Sequence, residues 1–151
     1  MIPMKVKDVM TRKPITLRHA DTLDKVLRTL AKHNISGCPV VDSQKRVVGI
    51  VGQTDVIRYI DVYGKVNSGN FVPFINSLLR KKMSMKKLKG TKVKDFARKN
   101  PITVAHDSDL YDAARVMNMH DIERLPVVRN KRLVGIVTRK DVIKALDKMG
   151  N

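Results

Sequence analysis

Residues 47–55 read VVGIVGQTD and residues 133–141 read LVGIVTRKD. The two stretches lie near the ends of two copies of one longer repeat, Val6–Ile60 and Val93–Leu146. The copies align with one gap opposite Gln44 and share 23 identities over 54 positions. An internal repeat constrains the architecture of a protein more strongly than any local sequence pattern. Two copies predict a molecule with pseudo-two-fold symmetry and two related clefts where the copies meet, and clefts commonly hold ligands.

Length and composition limit the class of protein. The chain has 151 residues, and a single copy of the repeat would bury only a marginal core, so we expect the copies to fold against each other. No apolar stretch approaches the ~20 residues of a membrane span, and the first ten residues lack the apolar core of a signal peptide. The single cysteine, Cys38, excludes an internal disulfide and fits a reducing compartment. We therefore expect a cytoplasmic protein without a membrane span.

The charge balance is strongly basic, with 31 Lys and Arg against 14 Asp and Glu and a net charge of +17. Such a charge attracts anions, nucleic acids and acidic surfaces. The alternative is a lysine-rich surface that reflects the general composition of the host, as in some thermophiles. Thermophile surfaces are usually also rich in Glu, and this chain has only Glu123. Both interpretations remain open at this point.

Each copy shows the same succession of local patterns. A short extended piece with Pro-Ile-Thr precedes an amphipathic helix, two β-branched runs separated by a polar turn follow, and a second helix begins near an aspartate. The apolar face of the first helix comprises Leu23, Val26, Leu27, Leu30 and Ala31 in one copy and Leu110, Ala113, Ala114 and Met117 in the other. These patterns predict an α+β fold built from two β-α-β-β-α repeats.

The repeats define four segments of the chain. Residues 1–60 hold the first repeat, 61–92 a basic and partly helical insert, 93–146 the second repeat, and 147–151 a tail. The insert and the start of the second repeat are rich in lysine over 80–94. One interpretation is an inserted helix with its lysines in solvent, because surface charge runs are common. The other is a basic arm for nucleic acid or an acidic protein partner.

The pattern Gly-apolar-apolar-Thr-x-x-Asp, residues 135–141, is the most informative local motif. Thr138 followed three residues later by Asp141 is the signature of a capping box at a helix start. A helix N-terminus also favours phosphate, and an acidic residue nearby can accept the hydroxyls of a ribose. The residues of this motif alone do not separate the structural role from ligand binding.

The combination of motifs resembles the CBS domain, named after cystathionine β-synthase. The resemblance rests on the Pro-Ile-Thr starts, the amphipathic helix, the PVVD and PVVR runs, and the GIV-x-x-x-D ends, and it covers most of the chain. It implies a tandem pair of CBS repeats, a Bateman module, which binds adenosine derivatives such as AMP, ADP, ATP or S-adenosylmethionine between the copies. It implies no obligatory cofactor.

The resemblance also assigns residues to the two clefts. Cleft one would use Ile136, Thr138 and Asp141, opposite Pro14, Ile15, Ile35, Ser36 and Gly37. Cleft two would use Ile50, Gly52 and Asp55, opposite Pro101, Ile102, Ile122, Glu123 and Arg124. Cleft two has Gly52 at the position where cleft one has Thr138, so it lacks that hydroxyl. Cleft two also contains Glu123, which would repel a phosphate unless Arg124 neutralises it. We therefore expect cleft one to be the better nucleoside site. Alternatively, Arg124 only pairs with Glu123 or Asp121 at the surface, where such a pair contributes little.

Catalytic and metal-binding functions find no support in the motifs. The histidines lack the spacing of a metal site, and no set of nucleophile, base and orienting residue is evident. We therefore expect a non-enzymatic sensor or scaffold. We also expect a homodimer, because the second helix of each copy offers an apolar side for pairing. That side comprises Val56, Ile57 and Ile60 in one copy and Val142, Ile143 and Leu146 in the other. The alternatives are a basic module associated with nucleic acid and a scaffold whose clefts are vestigial.

Overall fold

The computed structural model describes residues 4–59 and 89–150. The insert predicted over 61–92 therefore lies outside the described residues except for its last four positions. The chain divides into two compact units, which differ from the two sequence repeats. Unit one combines Met1–Ile15, Val41–Val48 and Asn100–Asn151, and unit two combines Thr16–Val40 and Gly49–Lys99.

The described helices and strands confirm the predicted α+β class. In chain order they are α1 (Val6–Val9), β1 (Thr11–Arg12), α2 (Leu23–Lys32), β2 (Gly37–Val41), β3 (Val47–Gly52), α3 (described over 53–59), a 3₁₀ turn (Val93–Asp95), β4 (Arg98–Lys99), β5 (Val104–Ala105), α4 (Leu110–His120), β6 (Arg124–Arg129), β7 (Arg132–Thr138) and α5 (Arg139–Gly150). None of the helices over 4–59 and 89–150 has the length and apolar character that crossing a bilayer requires.

Unit one contains a four-stranded sheet in the order β1-β7-β6-β5. The hairpin of β6 and β7 is antiparallel, β5 runs parallel to β6, and β1 runs antiparallel to β7. The α4 helix presents Leu110, Ala113 and Met117 to the core, with Ala114 half-buried, as the sequence predicts. The apolar core of this unit comprises Val6, Val104, Leu110, Ala113, Met117, Leu125, Val127, Val137, Val142 and Ala145.

Unit two repeats the arrangement with the order β2-β3-β4, and Leu17 bridges Val40 in parallel where unit one has β5. The α2 helix buries Leu23, Val26 and Leu30. The prediction was wrong for two other positions on this helix, since Leu27 is 37% exposed and Ala31 is exposed. Both lie at the edge of the stripe formed by the three buried residues, because successive residues of a helix are 100° apart.

The opening segments of the two repeats are exchanged between the units. Strand β1 opens the first repeat and pairs with β7 of the second, whereas β4 opens the second repeat and pairs with β3 of the first. Two equivalent glycines allow the exchanged strands to approach. A Cβ atom on Gly135 would lie 2.9 Å from the Thr11 carbonyl oxygen, and one on Gly49 would lie 3.0 Å from the Arg98 carbonyl oxygen.

We expect Gly135→Ala to lower the free energy of unfolding by ~1–3 kcal/mol, because the added methyl group overpacks against the Met10 side chain and the backbone of β1. Urea unfolding of the variant against the native chain measures the change. Gly90→Ala is the matched control, since Gly90 is helical and no described atom lies within 4 Å of its added Cβ. The control should be neutral or stabilising. Equal losses from both substitutions would contradict the close approach of β1 to β7.

Candidate functional site

The most informative site side chains lie at the junction of β7 and α5. The Asp141 carboxylate oxygen Oδ2 accepts hydrogen bonds from the Thr138 backbone N–H at 2.8 Å and from the Thr138 hydroxyl at 3.0 Å. The Asp141 N–H lies 3.2 Å from the Thr138 Oγ1 and donates to it. These reciprocal bonds form a capping box, so the structural interpretation of the motif is confirmed.

The capping box engages only one oxygen of the Asp141 carboxylate. Within residues 4–59 and 89–150, Oδ1 accepts no hydrogen bond, and the residue is half-buried. An ionised carboxylate offers about four lone-pair sites. Asp141 therefore caps its helix and still presents an open acceptor at the surface of unit one.

The equivalent carboxylate in unit two is differently placed. The Gly52 N–H donates to Asp55 Oδ2 at 2.8 Å, so the cap is retained without the hydroxyl. Asp55 is only 3% exposed, and its buried Oδ1 accepts no hydrogen bond among the described residues. Arg98 Nε lies 3.1 Å and Arg58 Nη1 3.6 Å from that oxygen. The contact between Arg98 and Asp55 is thus an ion pair without the alignment of a hydrogen bond.

The exchange of the opening strands explains this difference. On β4, Arg98 stands opposite Ile50, and on β1 the equivalent Thr11 stands opposite Ile136. A guanidinium reaches the Asp55 carboxylate in unit two, whereas Thr11 provides no cation to Asp141 in unit one. The sequence analysis missed Arg98. The difference between Thr11 and Arg98 is visible when the repeats are aligned, but it acquires meaning only once the strand exchange is known.

The remaining predicted site residues are distributed over both units. Unit one contains Pro14, Ile15, Pro101, Ile122, Arg124 and Ile136, which are half-buried, and Ile102, which is 39% exposed. Unit two contains Ile35, Ser36, Gly37 and Ile50, of which Gly37 and Ile50 are buried. The assignment of residues from different units to one cleft stays a prediction.

In each unit, the residue just before the first strand of the hairpin accepts a backbone hydrogen bond from the first residue of the helix that follows the hairpin. The Gln53 N–H donates to the Ser36 carbonyl at 2.9 Å, and the Arg139 N–H donates to the Glu123 carbonyl at 2.9 Å. Ser36 thus lies beside the first turn of α3, which carries Asp55. Glu123 likewise lies beside the first turn of α5, which carries Asp141.

Arg124 adopts the local pairing that the sequence analysis gave as the alternative to a phosphate contact. Its Nη2 lies 3.4 Å from Glu123 Oε2, and the Glu123 side chain is 68% exposed. The Arg124 side chain is only 12% exposed, but a pair whose carboxylate lies in solvent contributes little to stability. A contact of Arg124 with a phosphate stays a prediction. Among the described residues, no three His, Cys, Asp or Glu side chains lie close enough to hold a metal ion.

The sequence model of the CBS domain matches residues 6–62 and 93–148. The chain belongs to the CBS domain family. The two matched segments correspond to the two repeats, so the resemblance recognised from the motifs is confirmed.

Relatives of this CBS pair occur both as short chains and within longer ones. The uncharacterized protein MJ1426 of Methanocaldococcus jannaschii is 34% identical, and the alignment covers 95% of this chain and 91% of that protein. The chain spans only 31% and 40% of two other relatives from the same organism, at 36% and 31% identity.

Solved structures of similar chains contain adenosine derivatives. CBSX2, a CBS-pair protein of Arabidopsis thaliana, was solved in complex with AMP. It matches with a TM-score of 0.74 at 26% identity, covering 97% of this chain and 98% of that one. The CBS domain pair of protein MJ0100 was solved with 5′-methylthioadenosine and S-adenosylmethionine. It matches with a TM-score of 0.71 at 25% identity, covering 98% of this chain and 99% of that one.

We expect Arg98→Met to lower the free energy of unfolding by ~1–3 kcal/mol, because it leaves the buried Asp55 oxygen with a weaker partner. Urea unfolding measures the change. Lys99→Met is the matched control, since Lys99 is the exposed neighbour on β4 and has no ion pair within the described residues; its effect should stay within ~0.5 kcal/mol. The loss from Arg98→Met should shrink in an Asp55→Asn background, and an unchanged loss there would contradict the pairing.

Proposed function

We propose that this CBS pair is a non-enzymatic regulatory module that binds an adenosine derivative and that the Asp141 carboxylate accepts the ribose hydroxyls. The observation that carries the proposal is the open oxygen of Asp141 beside its capping box. A ribose diol needs acceptors at a fixed position, and the capping box holds the carboxylate in place before a ligand arrives. The ligands of CBSX2 and MJ0100 support the adenosine class.

Two differences favour Asp141 over Asp55 as the ribose acceptor. Asp141 is half-buried and has no cation partner in the described part of the chain, whereas Asp55 is almost fully buried against Arg98. Binding of a ribose to Asp55 would first require Arg98 to leave the carboxylate, which costs part of the binding free energy. Occupation of the site at Asp141 carries no such cost. This argument reinforces the ranking that the missing hydroxyl at Gly52 predicts.

The finer identity of the ligand is part of the proposal. We include AMP, ADP, ATP and S-adenosylmethionine-type ligands, because the ribose contact is common to all of them. Regulation requires that the ligand bind two arrangements of the module with different affinity.

We further propose a cytoplasmic location, in keeping with the single thiol of Cys38, which is buried. A partner that binds through 80–94 also stays a proposal, since most of that segment lies outside the described residues.

We expect Asp141→Ala to weaken adenosine binding about ten- to hundred-fold and Asp55→Ala to weaken it less. Loss of a hydrogen bond to a charged group costs ~1.5–3 kcal/mol. Titration calorimetry with AMP, ATP, S-adenosylmethionine and 5′-methylthioadenosine measures both variants. Thermal melts of the free variants separate loss of the cap from loss of a ligand contact. A larger loss from Asp55→Ala would reverse the ranking, and no heat from any ligand with the native chain would favour the vestigial scaffold.

We also propose that the module forms a homodimer. On α5 the apolar residues Ile143 and Leu146 are 65% and 54% exposed, and Ile57 on α3 is 62% exposed. Val56 on α3 and Val142 on α5, which the sequence analysis assigned to the apolar sides of these two helices, are instead buried in the cores. The side available for pairing is therefore narrower than predicted. Isologous pairing is the commonest way to cover an exposed apolar surface of this kind.

Light scattering should give the mass of a dimer at micromolar concentration, about twice the 17.1 kDa of one chain. The variant Ile143→Glu with Leu146→Glu should be monomeric, because two carboxylates would be desolvated in the contact. Lys144→Glu, on the same helix, is the control and should remain dimeric. A native mass near that of one chain, with and without AMP, would contradict the dimer.

A further inference from the structure

Two polar turns of unit one lie side by side. The first turn joins β2 and β3, and the second joins β6 and β7. The backbones of Arg46 in the first turn and Arg132 in the second form an antiparallel β-bridge. Beside it, the Leu133 N–H donates to the Lys45 carbonyl at 2.9 Å. Within the second turn, Arg132 also stands directly opposite Arg129. Three arginines thus occupy consecutive opposed positions, Arg129, Arg132 and Arg46, which we name the arginine row.

The arginine row brings cationic side chains together on one surface. Directly opposed residues of a sheet project to the same side, with Cβ atoms about 4.5–5.5 Å apart. The two turns, 42–46 and 129–132, carry five cations and one carboxylate, and all five cations are exposed. The cations are Lys45, Arg46, Arg129, Lys131 and Arg132.

The single carboxylate is committed to one member of the row. Asp42 Oδ2 accepts a hydrogen bond from Arg46 Nε at 2.8 Å, and the backbone N–H and guanidinium of Arg46 hold the pKa of Asp42 below its ordinary value. In the part of the chain that the structure describes, Arg129 and Arg132 have no acidic partner. Two guanidinium groups of the row are therefore available to an external anion.

The alignment of the repeats shows how the row arises. Asp42 and Arg129 occupy equivalent positions, as do Arg46 and Arg132. The first repeat places a carboxylate opposite its arginine, and the second places another arginine there. Like charges directly opposite each other in a sheet are destabilising. The second repeat therefore has a stability-lowering pair where the first has a favourable one, which is the mark expected of a binding surface.

We propose that the arginine row binds the phosphate backbone of a nucleic acid. Arginine presents a planar fork that matches phosphate oxygens, and nucleic-acid interfaces are polar and strongly positive. The non-cationic residues of the two turns are Asp42, Ser43, Gln44 and Asn130. The turns thus contain neither the Trp or Tyr anchors that accompany arginine in many protein interfaces nor the aromatic side chains that stack on bases. The contact is to phosphates, without selection of sequence.

The sharpest test is Arg129→Asp, which restores in the second repeat the charge arrangement of Asp42 and Arg46. The proposal expects opposite effects on stability and binding. The melting temperature should be unchanged or higher, and affinity for a fluorescein-labelled DNA duplex should fall roughly tenfold or more at ~50 mM salt. The slope of log affinity against log salt should flatten by about 0.9 or more, as expected for the loss of a phosphate contact. Fluorescence anisotropy over a salt series gives both quantities.

Arg115→Glu is the matched control. It makes the same change of charge at an exposed position on α4 that has no ion pair in the described part of the chain. The control should leave the salt slope nearly unchanged, because Arg115 lies outside the two turns. Equal losses of affinity and slope in the two variants would overturn the proposal, since general charge or other basic segments would then explain binding. Absence of duplex binding by the native chain at ~50 mM salt, or equally tight binding of polyglutamate, would overturn it as well.

Discussion

The opening strand of each repeat pairs with the closing strand of the other, and the cores of both units are built around that exchange. The segment before β1 places Val6 in the core of unit one, and the segment before β4 places Val93 in the core of unit two; both are fully buried. A single repeat would lack a strand and one of these core residues. This accounts physically for why repeats of this length occur as a pair, since each would otherwise bury too little apolar surface.

The duplicated framework holds different side chains at equivalent positions. Thr11 and Arg98 stand opposite the equivalent residues Ile136 and Ile50, yet only Arg98 supplies a charge to the carboxylate of its unit. Asp42 and Arg129 likewise occupy one position with opposite charge. Because the backbone environment is shared, each difference can be attributed to the side chain. The pair of repeats therefore provides its own internal control for assigning roles to residues.

The sequence was sufficient for features that depend on local patterns. The hairpins, the main helices and the capping box of Asp141 follow from periodicity and motif spacing, and the family was recognised through the resemblance of the combined motifs. The strands β1 and β4 were not predictable in this way, because two residues show no alternation and their partners lie far along the chain. The ion pair of Arg98 depends on that pairing and was missed with it. The prediction that Leu27 and Ala31 belong to the buried face was wrong, because residues at the edge of an apolar stripe are buried only where a neighbouring element covers them.

Both repeats need an aspartate at the start of the last helix for a reason unrelated to ligands. Asp55 and Asp141 each cap a helix through Oδ2, so the helix start alone accounts for the carboxylate in both copies. The presence of aspartate in the motif therefore says little about binding. What distinguishes a ribose acceptor from a structural cap is the state of the second oxygen, and this depends on the residue that the exchanged strand presents. Functional assignment in this fold consequently depends on positions 11 and 98 as much as on the motif itself.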